Sequence, residues 1–136
     1  MIGCDHLDDA ALITAFSALA IESADFRHRE HVRLGFAILV RERDLAAAVI
    51  AFRTCLQRFA ATIGAAAKYH ETLTWAYLIV IAERMHGHGY ASSREFLAAH
   101  PDLLDHRAGA IAKYYDVAQI TASPIARAIF VLPERR

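Results

Sequence analysis

The chain has 136 residues, of which 56% are hydrophobic and 22% charged, and its 15 basic and 15 acidic residues cancel. A chain of this length folds as one domain, burying roughly two-thirds of its unfolded surface without a disulfide or metal staple. The apolar content excludes intrinsic disorder, and zero net charge excludes a global field that would hold DNA, RNA or an anionic membrane.

Alanine and leucine favour helix, and glycine and proline are scarce. A first helix is predicted after Asp8 or Asp9, with Leu12, Ile13, Phe16, Leu19 and Ala20 on one face. Asp25 is the expected cap of a second helix that runs to about Arg43, with Val32, Phe36, Leu39 and Val40 as apolar positions. Asp44 caps a third, which ends at Gly64, with Leu45, Val49, Phe52, Leu56, Phe59 and Ile63 recurring at three and four.

The segment 68–85, KYHETLTWAYLIVIAERM, is apolar nearly all round and is expected to be the central helix. Its longest apolar run, Leu73 to Ala82, is about half the twenty residues a membrane span needs. HGHGY follows as a glycine-broken loop, and Ser92-x-x-Glu95 is a capping box for a short helix through Ala99, stopped at His100-Pro101. Asp102 to Tyr115 is read as one or two further helical turns. Ser123-Pro124 opens a last short helix that Pro133 ends. The expected fold is all-α: residues 1–136 form one antiparallel helical bundle of four main helices with shorter C-terminal ones.

Cys4 and Cys55 lie far apart with no metal-ribbon spacing, which suits free thiols in a reducing cytoplasm. The acidic start, MIGCDHLDDAAL, lacks the basic region of an export signal, so a cytoplasmic location is expected.

The chain carries eight histidines. His28 and His31 are three apart on one helix face, so both imidazoles can point to one spot. Gly35 continues that face, and a helical glycine marks either close packing or room for a ligand. His70 opens the apolar segment and is followed at helical spacing by Thr74 and Tyr77, a polar stripe that needs hydrogen-bond partners or a ligand. His28, His31 and His70 can supply three neutral nitrogens to a divalent transition metal (Zn, Fe, Cu or Ni), leaving an open coordination position. Glu71 and Tyr77 are the candidate acid/base groups, Glu30 or Glu71 a candidate carboxylate ligand. Gly35, Thr74, Tyr114 and Arg127 are candidates for the substrate pocket.

Of the remaining histidines, His86 and His88 flank Gly87 in the loop, His6 is near the terminus, His100 precedes a proline, and His106 lies in a charged stretch. Each has an ordinary explanation. Two functional readings follow. One is a small metal-dependent enzyme that activates water or dioxygen at a three-histidine site. The other is a non-enzymatic module that binds a small molecule in an apolar pocket lined by histidine and tyrosine, or uses its apolar surface to form a homo-oligomer.

FRHREHVRLGFAILVR at 26–41 contains F-x-H-x-x-H-x-R, KYHETLTWAYLIVI at 68–81 contains K-Y-H-E-T, and SPIARAIFVLPE at 123–134 contains S-P-x-A-R. Taken in this order, the three segments resemble a family of small all-helical bacterial proteins of unassigned function. The matching positions are Phe26, His28, His31, Arg33, Tyr69, His70, Thr72 and Arg127. The resemblance implies a grouping of the three histidines and supplies no reaction. No glycine-rich phosphate loop, G-x-S-x-G elbow or H-E-x-x-H motif is present.

Overall fold

Short polar side chains start most of the helices. In the computed structural model, which describes residues 4–134, the Asp8 carboxylate accepts the Ala11 N–H at 2.8 Å and opens α1 (Asp9–Ser17). The helix stops at Ser17, because Leu19 takes a left-handed φ of 56°. Asp25 does not cap the second helix; it closes a 3-10 turn at Ser23–Asp25. α2 (His28–Glu42) starts later than predicted, with Arg27 as an extended N-cap residue that offers no side-chain bond.

Asp44 caps α3 (Leu45–Thr62) by accepting the Ala47 N–H at 3.0 Å. Gly64 ends it with φ 73°, a conformation that favours glycine, while the Ala65 N–H returns to the Ala60 carbonyl at 2.7 Å. α4 (Glu71–Met85) follows, with His70 as its N-cap. Ser92 caps α5 (Ser93–Ala99), and the Glu95 carboxylate reaches back to the Ala91 N–H, one residue beyond the expected capping box. Asp102–Tyr115 supplies two 3-10 turns, at Pro101–Leu104 and Ala110–Lys113. Asp116 then caps α6 (Val117–Ala122), which the sequence reading did not anticipate. Ser123 caps α7 (Pro124–Ala128), which ends at the extended Ile129, well before Pro133.

Among the described residues the protein is all-α, with seven α-helices and no strand. The centre is α2, not α4. α2 packs against α1, α3, α4 and α5, and it buries an unbroken run from Val32 to Leu39. α4 leaves Ile79 38% exposed and Leu73, Trp75 and Tyr77 only half-buried. Its apolar circumference covers the core on one side and lines a pocket on another.

A buried arginine holds the α1 end of the bundle. Arg33 is fully buried; it donates to Ser93 Oγ at 3.0 Å and to the carbonyls of Cys4 and Leu7 at 3.1 and 2.6 Å. Asp9 accepts from the Ser93 N–H and hydroxyl, which closes the network across α1, α2 and α5. At the other end Thr72 Oγ1 lies within hydrogen-bond distance of the carbonyls of Ala126 and Ile129 and accepts the Val131 N–H, strapping the C-terminal chain to α4. No described helix is long and apolar enough to cross a membrane.

Candidate functional site

Between α2, α3 and α4 lies a pocket of about 480 Å³. α3 supplies its floor through the buried stripe Phe52, Leu56 and Phe59, and α2 adds Val32. Phe26, Tyr69 and Leu73 form walls, and the exposed Ser23, Lys68 and Thr121 stand at the rim. Phe26 packs on Phe59 with centroids 5.0 Å apart and on the His31 ring at 4.2 Å. The enclosure is therefore mainly aromatic and aliphatic, with a few polar groups set into it, the usual make-up of a small-molecule site.

His28, His31, His70, Thr74 and Tyr77 all line this pocket. Their hydrogen bonds give them different capacities. His28 Nε2 is 2.7 Å from the Leu103 carbonyl. A carbonyl can only accept, so Nε2 carries the proton and Nδ1 presents a lone pair. Burial, with the nearby His106 as a smaller cause, lowers the His28 pKa and keeps the ring neutral. For His31 burial is again the main cause, seconded by His28, and the pKa falls to about 4.

His70 is used differently. Its Nδ1 accepts the Leu73 N–H at 3.1 Å as the cap of α4, and Nε2 donates to the Ile120 carbonyl at 2.7 Å. Both ring nitrogens are occupied by backbone, so no lone pair is left for an ion. Thr74 gives its hydroxyl proton to the His70 carbonyl at 2.8 Å. Tyr77, also on α4, has a buried hydroxyl with no hydrogen-bond partner among the described residues, as does the Trp75 indole N–H outside the pocket lining. Burial pushes the Tyr77 pKa up to about 12, with Asp105 a lesser cause.

The structure adds a fourth histidine to the pocket. His106 lines the pocket, with its ring 5.4 Å from that of His28, whose other neighbour is the Tyr77 ring at 4.9 Å. Nothing in the local sequence of the Asp105–Arg107 turn signals this proximity, which the 3-10 turns after α5 create. The aromatic floor was visible only as an apolar stripe, equally consistent with core.

Other candidates lie elsewhere. Glu71 faces α3, paired with Arg53 Nε at 2.9 Å and accepting the Tyr69 hydroxyl at 2.7 Å. Helix rotation places it outside the pocket lining. At Gly35 a Cβ would stand 3.1 Å from Ile81 Cδ1 and 3.4 Å from Leu78 Cδ1. That glycine serves the close approach of α2 and α4, not a ligand. Tyr114 is 44% exposed and away from the pocket. Arg127 donates Nη1 to the carbonyls of Ala67, Lys68 and Tyr69 and Nη2 to that of Thr121, so it braces the rim from behind. Glu30 is buried outside the pocket beside Arg33, with one carboxylate oxygen unpartnered among the described residues, and burial raises its pKa. His86 and His88 are exposed, while His100 shares a hydrogen bond with the Tyr90 hydroxyl at 2.8 Å.

Among the described residues no group of three or more His, Cys, Asp or Glu side chains is placed to hold a metal ion. Compared with known protein families, with curated proteins and with solved structures, the chain matches none.

Proposed function

We propose that this chain is a binding module for a small, largely apolar molecule, held between α2, α3 and α4 without a metal ion. The observation that carries this reading is the pocket itself: about 480 Å³ lined by Phe26, Phe52, Leu56 and Phe59, with His28, His31 and the Tyr77 hydroxyl among its few inner polar groups. Its volume falls in the range of small-ligand sites, which are apolar with a few placed polar groups. A three-histidine metal centre is the less favoured alternative, because His70 spends both nitrogens on backbone groups. The apolar probe 2-methylnaphthalene tests the reading by thermal shift and fluorescence titration. Ligand that binds only the folded protein at 100 times its Kd adds about 2.7 kcal/mol of stability, so the expected result is a saturable rise in Tm. Leu56→Trp, which fills the floor, is expected to abolish it. No saturable shift, or an equal one in Leu56→Trp, overturns the proposal.

A further inference from the structure

Two polar groups of the pocket wall are left incomplete by the fold, and they are complementary. The Tyr77 hydroxyl is buried with no partner among the described residues. A buried hydroxyl in that state is costly and is normally satisfied by protein, water or ligand. His28 commits Nε2–H to Leu103, which leaves Nδ1 as an acceptor. The two rings lie edge-on with centroids 4.9 Å apart, and both residues line the pocket.

We infer that the pocket selects an apolar ring molecule carrying one uncharged hydroxyl, an alcohol or phenol, which accepts from the Tyr77 hydroxyl and donates to His28 Nδ1. The inference rests on reading the pocket as a binding site, and it adds the chemical class of the occupant. A hydroxyl satisfies a donor and an acceptor at once. A carbonyl would answer Tyr77 and oppose its own lone pair to Nδ1. A carboxylate would need a cation, and His28 and His31 are held neutral by burial. Lys68, the cation nearest the pocket, stands exposed at the rim. The aromatic surfaces of Phe26, Phe52 and Phe59 favour a ring as the apolar body.

Three probes of one skeleton test this: 2-naphthol, 2-methylnaphthalene and 2-naphthoate, titrated against the full chain at neutral pH. The expected order is 2-naphthol tightest, about tenfold over 2-methylnaphthalene, the factor that one net hydrogen bond supplies. Tyr77→Phe keeps the ring and removes the hydroxyl, so it is expected to erase most of that preference. Equal binding of naphthol and methylnaphthalene, tightest binding of naphthoate, or a preference that survives Tyr77→Phe overturns the hydroxyl assignment and leaves the pocket reading standing. If none of the three binds, both fall. Should Tyr77→Phe fail to fold, the order of the probes on the unmodified chain decides alone.

Discussion

At His70 the backbone takes the whole imidazole: one nitrogen caps α4 and the other holds the Ile120 carbonyl. Asparagine is a good N-cap residue and alanine is not. His70→Asn is therefore expected to keep the cap, lose the Ile120 bond and cost about 1 kcal/mol, whereas His70→Ala loses both and costs about 2–3 kcal/mol. Urea unfolding separates them, and a Zn²⁺-dependent rise in Tm that both variants abolish would contradict this assignment and favour the metal reading. Arg33 is structural in the same sense. Arg33→Met strands Asp9, Ser93 and the carbonyls of Cys4 and Leu7. Breaking such a buried charge network costs about 3–5 kcal/mol, expected as a matching fall in unfolding free energy with the pocket intact. Arg33, Thr72 and Arg127 hold the fold, His70 does so while lining the pocket, and Phe26, His28, His31 and Tyr69 line it.

Capping chemistry is local, which is why the sequence locates α3 well: Asp44 and Gly64 bound it and a three-four apolar spacing fills it. α6 escapes because it is too short to show a period, though Asp116 caps it as Asp44 caps α3. α2 is displaced because Asp25 closes a 3-10 turn, and the helix starts at His28 behind Arg27 with no side-chain cap. What a helix faces is not local: spacing along the chain suggests Glu71 and Gly35 for a site, and in the fold both turn toward a neighbouring helix. Gly35 allows a direct check. In Gly35→Ala the gain in helix propensity of about 1 kcal/mol opposes a 3.1 Å approach to the flexible end of Ile81, so stability is expected to change by under about 1 kcal/mol. Gly35→Leu overpacks the α2–α4 contact and is expected to cost about 3 kcal/mol or more. Neither Gly35→Ala nor an equally mild change there should alter affinity for 2-methylnaphthalene. A loss of affinity in Gly35→Ala at unchanged Tm would return this glycine to the pocket.

For the whole molecule, charges cancel at neutral pH, and the consequence of that balance appears when the pocket histidines are forced to charge. His31 has a folded pKa of about 4, from burial first and then from His28, against an unfolded value near 6.5. Between these two values the unfolded chain binds more protons than the native one, so stability falls as pH is lowered through this window and levels off below it. The full shift would amount to about 3 kcal/mol, and discounting for solvent at the pocket mouth leaves about 2. His28 and His70, also lowered chiefly by burial, act in the same direction. Asp102 does not blur the measurement: its hydrogen bonds to Arg84 hold it at about 2, so its own contribution is lost only at lower pH, between about 4 and 2. Urea unfolding at pH 7.5 and 4.5 is expected to show a drop of at least about 2 kcal/mol, and His31→Gln, which cannot titrate, should shrink that drop by roughly the His31 share. The same protonation puts a cation beside the Tyr77–His28 wall, so affinity for 2-naphthol is expected to weaken in parallel. Stability that stays flat from pH 7.5 to 4.5 would mean the imidazoles are solvated, and with it the dry, uncharged pocket on which the ligand assignment depends would be lost.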